Sequence, residues 1–153
     1  MSDGIREVRL EIWIDASPET VYALLTEPDH MKTWLADLVE ADAQPGGVFR
    51  ISGPTDVSIS GTYIEAIPGR KVAFTWGGIE GLRPGQSTVE FLLAPERGGT
   101  LVRLRHYGLP APSIESHRIG WMHSGLAKLK DGAEGRKPKG RCLSDLAEQR
   151  RAV

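Results

Sequence analysis

Two polar residues stand where the surrounding pattern predicts apolar ones. His106 is in phase with Val102 on a predicted strand, and Arg118 lies near the centre of a helical stripe that contains Ile114 and Trp121. An imidazole donates or accepts hydrogen bonds, and a guanidinium binds a carboxylate or a phosphate. His106 and Arg118 are therefore candidate polar contacts for a bound molecule. The alternatives are a core histidine that is hydrogen-bonded to backbone and an arginine that extends along the helix to reach solvent.

The other residues that could do chemistry do not form a metal or cofactor motif. His117 and His123 are six residues apart. On one helix their side chains would point roughly 120° away from each other. The sequence has no glycine-rich phosphate loop, no nucleophile elbow and no Ser-His-Asp spacing. The lone Cys142 permits no internal disulfide, and we expect an ordinary solvated thiol there. We predict no metal site and no cofactor.

A single long helix at 113–130 is predicted to position Arg118. Pro112 precedes its first turn, and Lys128 and Lys130 place positive charge at the end that the helix dipole favours. At about 100° per residue, one broad stripe forms along this helix. The stripe contains Ile114, Trp121, Met122, Gly125 and Leu129. Such a stripe needs a partner surface.

Alternation of apolar and polar residues predicts about seven strands before that helix. The clearest runs are 8–14, 48–51, 57–63, 72–76, 89–93 and 102–106. Ser17 and Pro18 indicate a short helix after the first strand, and a second short helical turn is predicted at 29–35. Trp13 lies on the polar face, where it covers a neighbouring segment, contacts another chain or lies on the surface. The grouping of strands and helices predicts an α+β fold in which a curved antiparallel sheet grips the long helix.

The composition changes after residue 130. Glycine and proline interrupt a segment rich in Arg and Lys at 131–141, which predicts a linker. Ser144 is a candidate cap for a short terminal helix, which either docks on the domain or a partner or frays. The expected organisation is one domain at 1–130 followed by a linker and a short extension at 131–153.

The bulk composition limits the classes of partner. The chain has 153 residues and a formal net charge of −1, with 40% hydrophobic and 25% charged residues. This balance gives no global attraction to nucleic acid or to anionic membranes. No apolar run approaches the roughly 18 residues that span a bilayer, and residues 1–4 lack the features of a signal peptide. We expect a cytoplasmic protein that binds neither nucleic acid nor membrane.

Several stretches, in order, resemble one known superfamily. They are 16–28, Trp34, 45–50, 61–63, 70–76, 87–91, 98–104, His106, 108–110 and 117–121. Together they cover nearly all of residues 5–130. The chain resembles the START-like, birch-pollen-allergen-like superfamily with a helix-grip fold. Within it, the chain resembles the branch related to the C-terminal domain of the activator of the heat-shock chaperone ATPase.

A sheet that curves around a helix encloses a space between them, and such pockets are mostly apolar with a few polar groups. Gly125 on the buried stripe would leave room there. The candidate ligand-binding residues are Trp34, Phe49, Tyr63, Phe74, Trp76, Phe91, His106, Arg118, Trp121, Met122 and Gly125. The alternative is that these residues close-pack as an ordinary core.

Three functions follow from these observations. The first, which we favour, is binding of a small hydrophobic or amphipathic molecule between the long helix and the sheet. The second is a cyclase- or hydrolase-like enzyme in which His106 or Arg118 acts on the bound molecule. The third, implied by the resemblance alone, is a protein-interaction role like that of the chaperone activators. Without the additional N-terminal domain that those activators carry, no ATPase stimulation is expected. A homodimer is also possible, through Trp13 and the terminal helix.

Overall fold

A seven-stranded antiparallel sheet forms the body of the protein. In the computed structural model, residues 7–53, 57–79 and 81–143 are described. The strands are β1 (Glu7–Ile14), β2 (Leu38–Ala41), β3 (Val48–Ser52), β4 (Ser58–Ile67), β5 (Lys71–Trp76), β6 (Ser87–Glu96) and β7 (Gly99–Tyr107). Their order in the sheet is β1-β7-β6-β5-β4-β3-β2. The predicted α+β class with a curved antiparallel sheet and a long C-terminal helix is confirmed.

Two short helices follow β1, as the capping residues predicted. Helix α1 covers Pro18–Thr26, and the Oγ atom of Ser17 accepts a hydrogen bond from the Thr20 N–H at 3.1 Å. Helix α2 covers Pro28–Met31 and is shorter than predicted. The residue before a proline avoids the α region, and Glu27 accordingly has an extended backbone between the two helices.

The long helix runs from residue 111 to residue 133 in three parts. They are α3 (Ala111–Gly120), a π-helical segment (Trp121–Gly125) and α4 (Leu126–Ala133). It begins two residues before the predicted start because the first helical turn, where the N–H group has no intrahelical partner, accepts Pro112. None of the helices in the described ranges is long and apolar enough to cross a membrane.

The π segment changes which residues of the long helix face the sheet. The N–H of Leu126, the first residue of α4, donates to the carbonyl of Trp121, five residues earlier, which is the hydrogen bond of a π turn. The wider turn takes up about one extra residue, which rotates the preceding part by about 100° relative to an uninterrupted α-helix. The predicted stripe is wrong at Met122, which is 38% exposed, whereas Trp121, Gly125 and Leu129 are buried as predicted. Ile114 is only partly buried against the core. The residues buried in α3 are Ser113, His117 and Gly120.

Trp13, on the outer face of β1, covers a neighbouring segment. Its indole N–H donates to the Glu96 carbonyl at 2.8 Å, in the turn between β6 and β7. The Lys130 ammonium lies 5.3 Å from the centre of the Trp13 ring and donates to the Trp13 carbonyl at 2.8 Å. These contacts join the end of the long helix to the end of β1.

The segment after the long helix packs back onto the domain. The N–H groups of Cys142 and Leu143 donate to the carbonyls of Trp34 and Leu35, each at 2.9 Å. Cys142 is 2% exposed and Leu143 is 1% exposed, so the prediction of a solvated cysteine is wrong. Cys142 is buried because its segment pairs with residues 34–35, and the basic residues around it in the sequence do not reveal this pairing. The terminal helix predicted from Ser144 lies outside the described residues.

We expect Leu143→Ala to lower the free energy of unfolding by about 2–4 kcal/mol, because it removes a fully buried side chain. Leu38→Ala is the matched control, since Leu38 is 61% exposed and its loss should cost less than about 0.5 kcal/mol. Urea unfolding measures both. Equal, small changes in the two variants would show that residues 142–143 do not dock in solution.

Candidate functional site

A polar cluster lies in the core between the long helix and the sheet. His106 on β7 is 0% exposed, and His117 on α3 is 2% exposed. Their ring centres are 5.0 Å apart and their planes are perpendicular. His106 faces inward because it alternates with Leu104 and Val102, while the π segment turns His117 toward the sheet.

The hydrogen bonds of His106 have one possible direction. The Trp121 Nε1–H donates to His106 Nδ1 at 3.0 Å. An indole can only donate, so Nδ1 carries no proton, and the proton of the neutral ring is on Nε2. That Nε2–H donates to Ser87 Oγ at 2.8 Å, and the Ser87 hydroxyl donates to the Trp76 carbonyl at 3.0 Å. The chain of bonds links the helix, β7, β6 and β5.

The hydrogen bonds of His117 fix its tautomer in the same way. The Trp76 Nε1–H donates to His117 Nε2 at 3.3 Å, so this nitrogen is the acceptor. The proton of its neutral ring is on Nδ1, which donates to the Ser113 carbonyl at 2.9 Å. Both imidazoles are therefore neutral with opposite tautomers. Burial, helped by the nearby His117, holds the pKa of His106 well below its ordinary value.

Aromatic rings fill the space around this cluster. The Trp76 and Trp121 ring centres are 5.4 Å apart, and the Phe91 ring meets the Trp121 ring edge to face at 5.8 Å. A void of about 10 Å³ remains beside Trp76, Trp121 and His117. It has room for one water molecule at most. The site is closed in this conformation.

Gly125 lies directly against the Trp121 ring. A Cβ atom at Gly125 would be 2.4 Å from the Trp121 Cε3 atom, so the room left by the glycine is occupied by the indole. Tyr63 holds α1 on the sheet, since its hydroxyl donates to the Leu25 carbonyl at 3.1 Å. The Trp34 indole joins the turn after α2 to α1 by donating to the Leu24 carbonyl at 2.8 Å.

The structure brings some of the predicted ligand residues together and not others. Trp76, Phe91, His106, Trp121 and Gly125 meet around the polar cluster. Phe49 and Phe74 stack beside it, with ring centres 3.9 Å apart. Burial raises the pKa of Tyr63, which lies edge to face with both rings.

Arg118 and Met122 lie on the outer side of the helix. The Arg118 guanidinium pairs with the Glu115 carboxylate one turn earlier, and its side chain is 40% exposed. Met122 is also partly exposed. Arg118 therefore does not face His106 across a shared space, because the extra residue of the π turn rotates α3.

Sequence reasoning missed His117 and Ser87 as members of the buried site, and it did not anticipate that Ser124 is buried. Ser113, His117 and Ser124 recur at helical spacing, and Ser87 alternates with Val89 on β6. A polar stripe at 3.6-residue spacing was the available signal. Among the described residues, no three His, Cys, Asp or Glu side chains are grouped to hold a metal ion.

Mild acid should destabilise the protein through His106. The pKa of His106 is lower in the folded state than its unfolded value of about 6.5. Below that pH the unfolded chain binds a proton that the folded chain does not. The free energy of unfolding therefore decreases as the pH is lowered, by up to about 1.4 kcal/mol per pH unit. We expect this slope between about pH 6.5 and 5 in urea unfolding, and a smaller slope in His106→Gln.

His30→Gln is the matched control, because the His30 side chain is 54% exposed. Glu134 does not interfere in this range, since Lys130, the Asp15 N–H and Arg136 lower its pKa to about 2. If the pH dependence of stability were unchanged in His106→Gln, or changed equally in His30→Gln, the neutral, buried His106 would not be the source of that pH dependence.

Known proteins share both the sequence and the fold. Residues 15–134 match the sequence model of the family described as "Activator of Hsp90 ATPase homolog 1-like protein". The mouse "Activator of 90 kDa heat shock protein ATPase homolog 2" is 25% identical over 116 residues, which are 76% of this chain and 34% of that protein. The human homolog 1 is 24% identical over 69% of this chain and 30% of its own length. The chain thus spans about a third of these relatives.

Solved structures agree with this match. An AHSA1-like protein from Rhizobium etli is 34% identical, with a TM-score of 0.69 over 88% of this chain and 85% of that chain. The Aha1 dimer from Colwellia psychrerythraea has a TM-score of 0.73 at 23% identity, over 84% of this chain and 96% of that chain. The family match and the Rhizobium protein confirm the predicted resemblance: the chain belongs to the activator of Hsp90 ATPase homolog 1-like family, with a START-type fold.

Proposed function

We propose that this protein binds a small, flat, amphipathic molecule between the long helix and the sheet, at the polar cluster around His106 and Trp121. One observation carries the proposal: the buried histidine–tryptophan hydrogen bonds coincide with the π segment Trp121–Gly125. Burying polar groups in a core costs free energy unless every bond is made, and apolar residues would fill the same space more simply. π turns are rare and frequently lie at functional sites.

Entry of a ligand requires movement of the Trp121 indole. The space beside it holds about 10 Å³, whereas small-molecule pockets have hundreds. The indole rests on Gly125 and fills the room that the glycine leaves, so its departure would free that volume for a ligand. His106 Nδ1 would then lose its donor, so the incoming molecule must supply one. The expected ligand is an apolar, planar molecule with one hydroxyl or N–H group.

The cyclase- or hydrolase-like alternative has less support from the geometry. Within residues 7–53, 57–79 and 81–143, the side chains hydrogen-bonded to one another in the cluster are His106, His117, Ser87, Trp76 and Trp121, none of which is a carboxylate. His106 is neutral and its Nε2–H is committed to Ser87. Arg118, the other candidate for catalysis, pairs with Glu115 on the outer side of the helix. A binding role therefore fits better than acid–base chemistry.

The four tryptophans make ligand binding directly measurable. In native mass spectrometry of gently purified protein, we look first for a retained molecule. We then titrate 1-naphthol and follow the four indole N–H signals by NMR. The Trp76 and Trp121 signals should shift because their hydrogen bonds lie in the cluster, whereas Trp13 and Trp34, bonded to the Glu96 and Leu24 carbonyls, should not.

Trp121→Ala should bind 1-naphthol at least about tenfold more tightly, because the ligand no longer displaces the indole. Trp13→Ala, which removes a tryptophan outside the core, should leave affinity unchanged. The absence of shifts at Trp76 and Trp121 in the wild type, together with no binding by folded Trp121→Ala, would overturn the proposal.

A second candidate function is interaction with the Hsp90 chaperone, supported by the family match. The outer face of the sheet offers a surface for it: Ile67 on β4 and Leu92 on β6 flank Lys71 in one cross-strand row and are 39% and 40% exposed. Exposed apolar side chains in a polar surround are typical of protein contact surfaces.

The interaction role is tested by the chaperone's ATPase rate on mixing with this protein. If the role holds, the rate rises, and Leu92→Asp removes the rise while Leu38→Asp, on the β2 edge strand, does not. An unchanged rate at saturating protein would exclude ATPase stimulation and leave ligand binding as the function.

A further inference from the structure

A second concave site lies where the long helix ends, away from the polar cluster. It is a cleft of about 310 Å³ between the short helices and the segment 132–141. Leu24 and Pro138 supply apolar walls, and His30, Lys137 and Arg141 supply basic ones. The volume is at the lower end of the range for small-molecule pockets.

The basic wall of this cleft is held in place at both ends. At one end the Arg136 N–H donates to the Asp131 carbonyl at 2.8 Å. At the other, the Cys142 N–H donates to the Trp34 carbonyl, and the Arg141 Nε–H donates to the Lys32 carbonyl. Binding groups that are already positioned lose less entropy when a ligand arrives.

The charges of the cleft are only partly neutralised. Arg136 is paired with Asp131 at 2.9 Å and with Glu134 at 2.7 Å, so it contributes little free charge. His30 lies 3.8 Å from Glu27. Arg141 bonds only backbone carbonyls, and Lys137 has no hydrogen bond or ion pair within the described part of the chain. Among the residues that the structure describes, Lys137 and Arg141 therefore have no anionic partner beside the apolar wall.

We propose that this cleft binds a small phosphate ester, with the phosphate against Lys137 and Arg141 and the organic part against Leu24 and Pro138. A guanidinium and an ammonium together match a doubly charged phosphate, and the arginine supplies directional donors. A carboxylate would neutralise only one of the two charges. The concave shape favours a soluble molecule over the flat surface of a bilayer.

The test uses phenyl phosphate on the full chain, with backbone amide NMR at constant ionic strength. Shifts should be confined to residues 24–33 and 132–141, and phenol, which lacks the anion, should cause none there. Lys137→Gln should weaken binding about fivefold. Lys139→Gln removes the same charge two residues further along the chain, at a side chain that does not line the cleft, and should weaken binding less than about twofold.

Three results would overturn the proposal. Shifts spread over the whole surface would indicate non-specific attraction, and equal losses in Lys137→Gln and Lys139→Gln would show that only local charge matters. Co-sedimentation with vesicles of phosphatidylcholine and phosphatidic acid, without any response to phenyl phosphate, would assign the basic segment to a membrane surface. Because 1-naphthol carries no phosphate, failure at this cleft leaves the helix–sheet proposal unaffected.

Discussion

The hydrogen bond from the Trp121 indole to His106 constrains much of this structure. An indole N–H can only donate, so His106 must be neutral with its proton on the opposite nitrogen. Ser87 then has to accept from His106 and donate to the Trp76 carbonyl. In a buried cluster each of these roles is obligatory, since an unmade bond costs the full desolvation of its polar group. One donor thus orders side chains on the helix and on three strands.

The π segment is the backbone feature that allows the Trp121 indole to reach His106. Trp121 and His117 must both face the sheet, while Leu126 and Leu129 pack in the second half of the helix. A regular α-helix cannot turn both sets inward, because their phases differ by about one residue, or 100°. The wider turn reconciles them and places Gly125 under the indole. The π turn and the buried polar cluster thus coincide at one point of the helix, and π turns frequently lie at functional sites.

The C-terminal end of the long helix is held differently from its middle. Lys130 and Glu134 tie this end to the Trp13 carbonyl of β1 and to the N–H of Asp15, which follows β1. The following segment then pairs with the turn after α2 through Cys142 and Leu143. These polar attachments lie outside the central π segment. They also create the basic cleft beside residues 132–141, which is separate from the aromatic interior.

The sequence by itself determined the two short helices, the long helix and every strand except β2, because alternation, Ser17-Pro18 and the prolines act locally. It also indicated that His106 faces inward, since its position in β7 follows a period of two. Tertiary structure decided the rest. The phase of the long helix depends on the π turn, which no local pattern signals, so Arg118 and Met122 lie outside and His117 lies inside. Cys142 and Leu143 are buried by backbone pairing with residues more than a hundred positions earlier, and a contact over that distance is set by packing and not by local sequence.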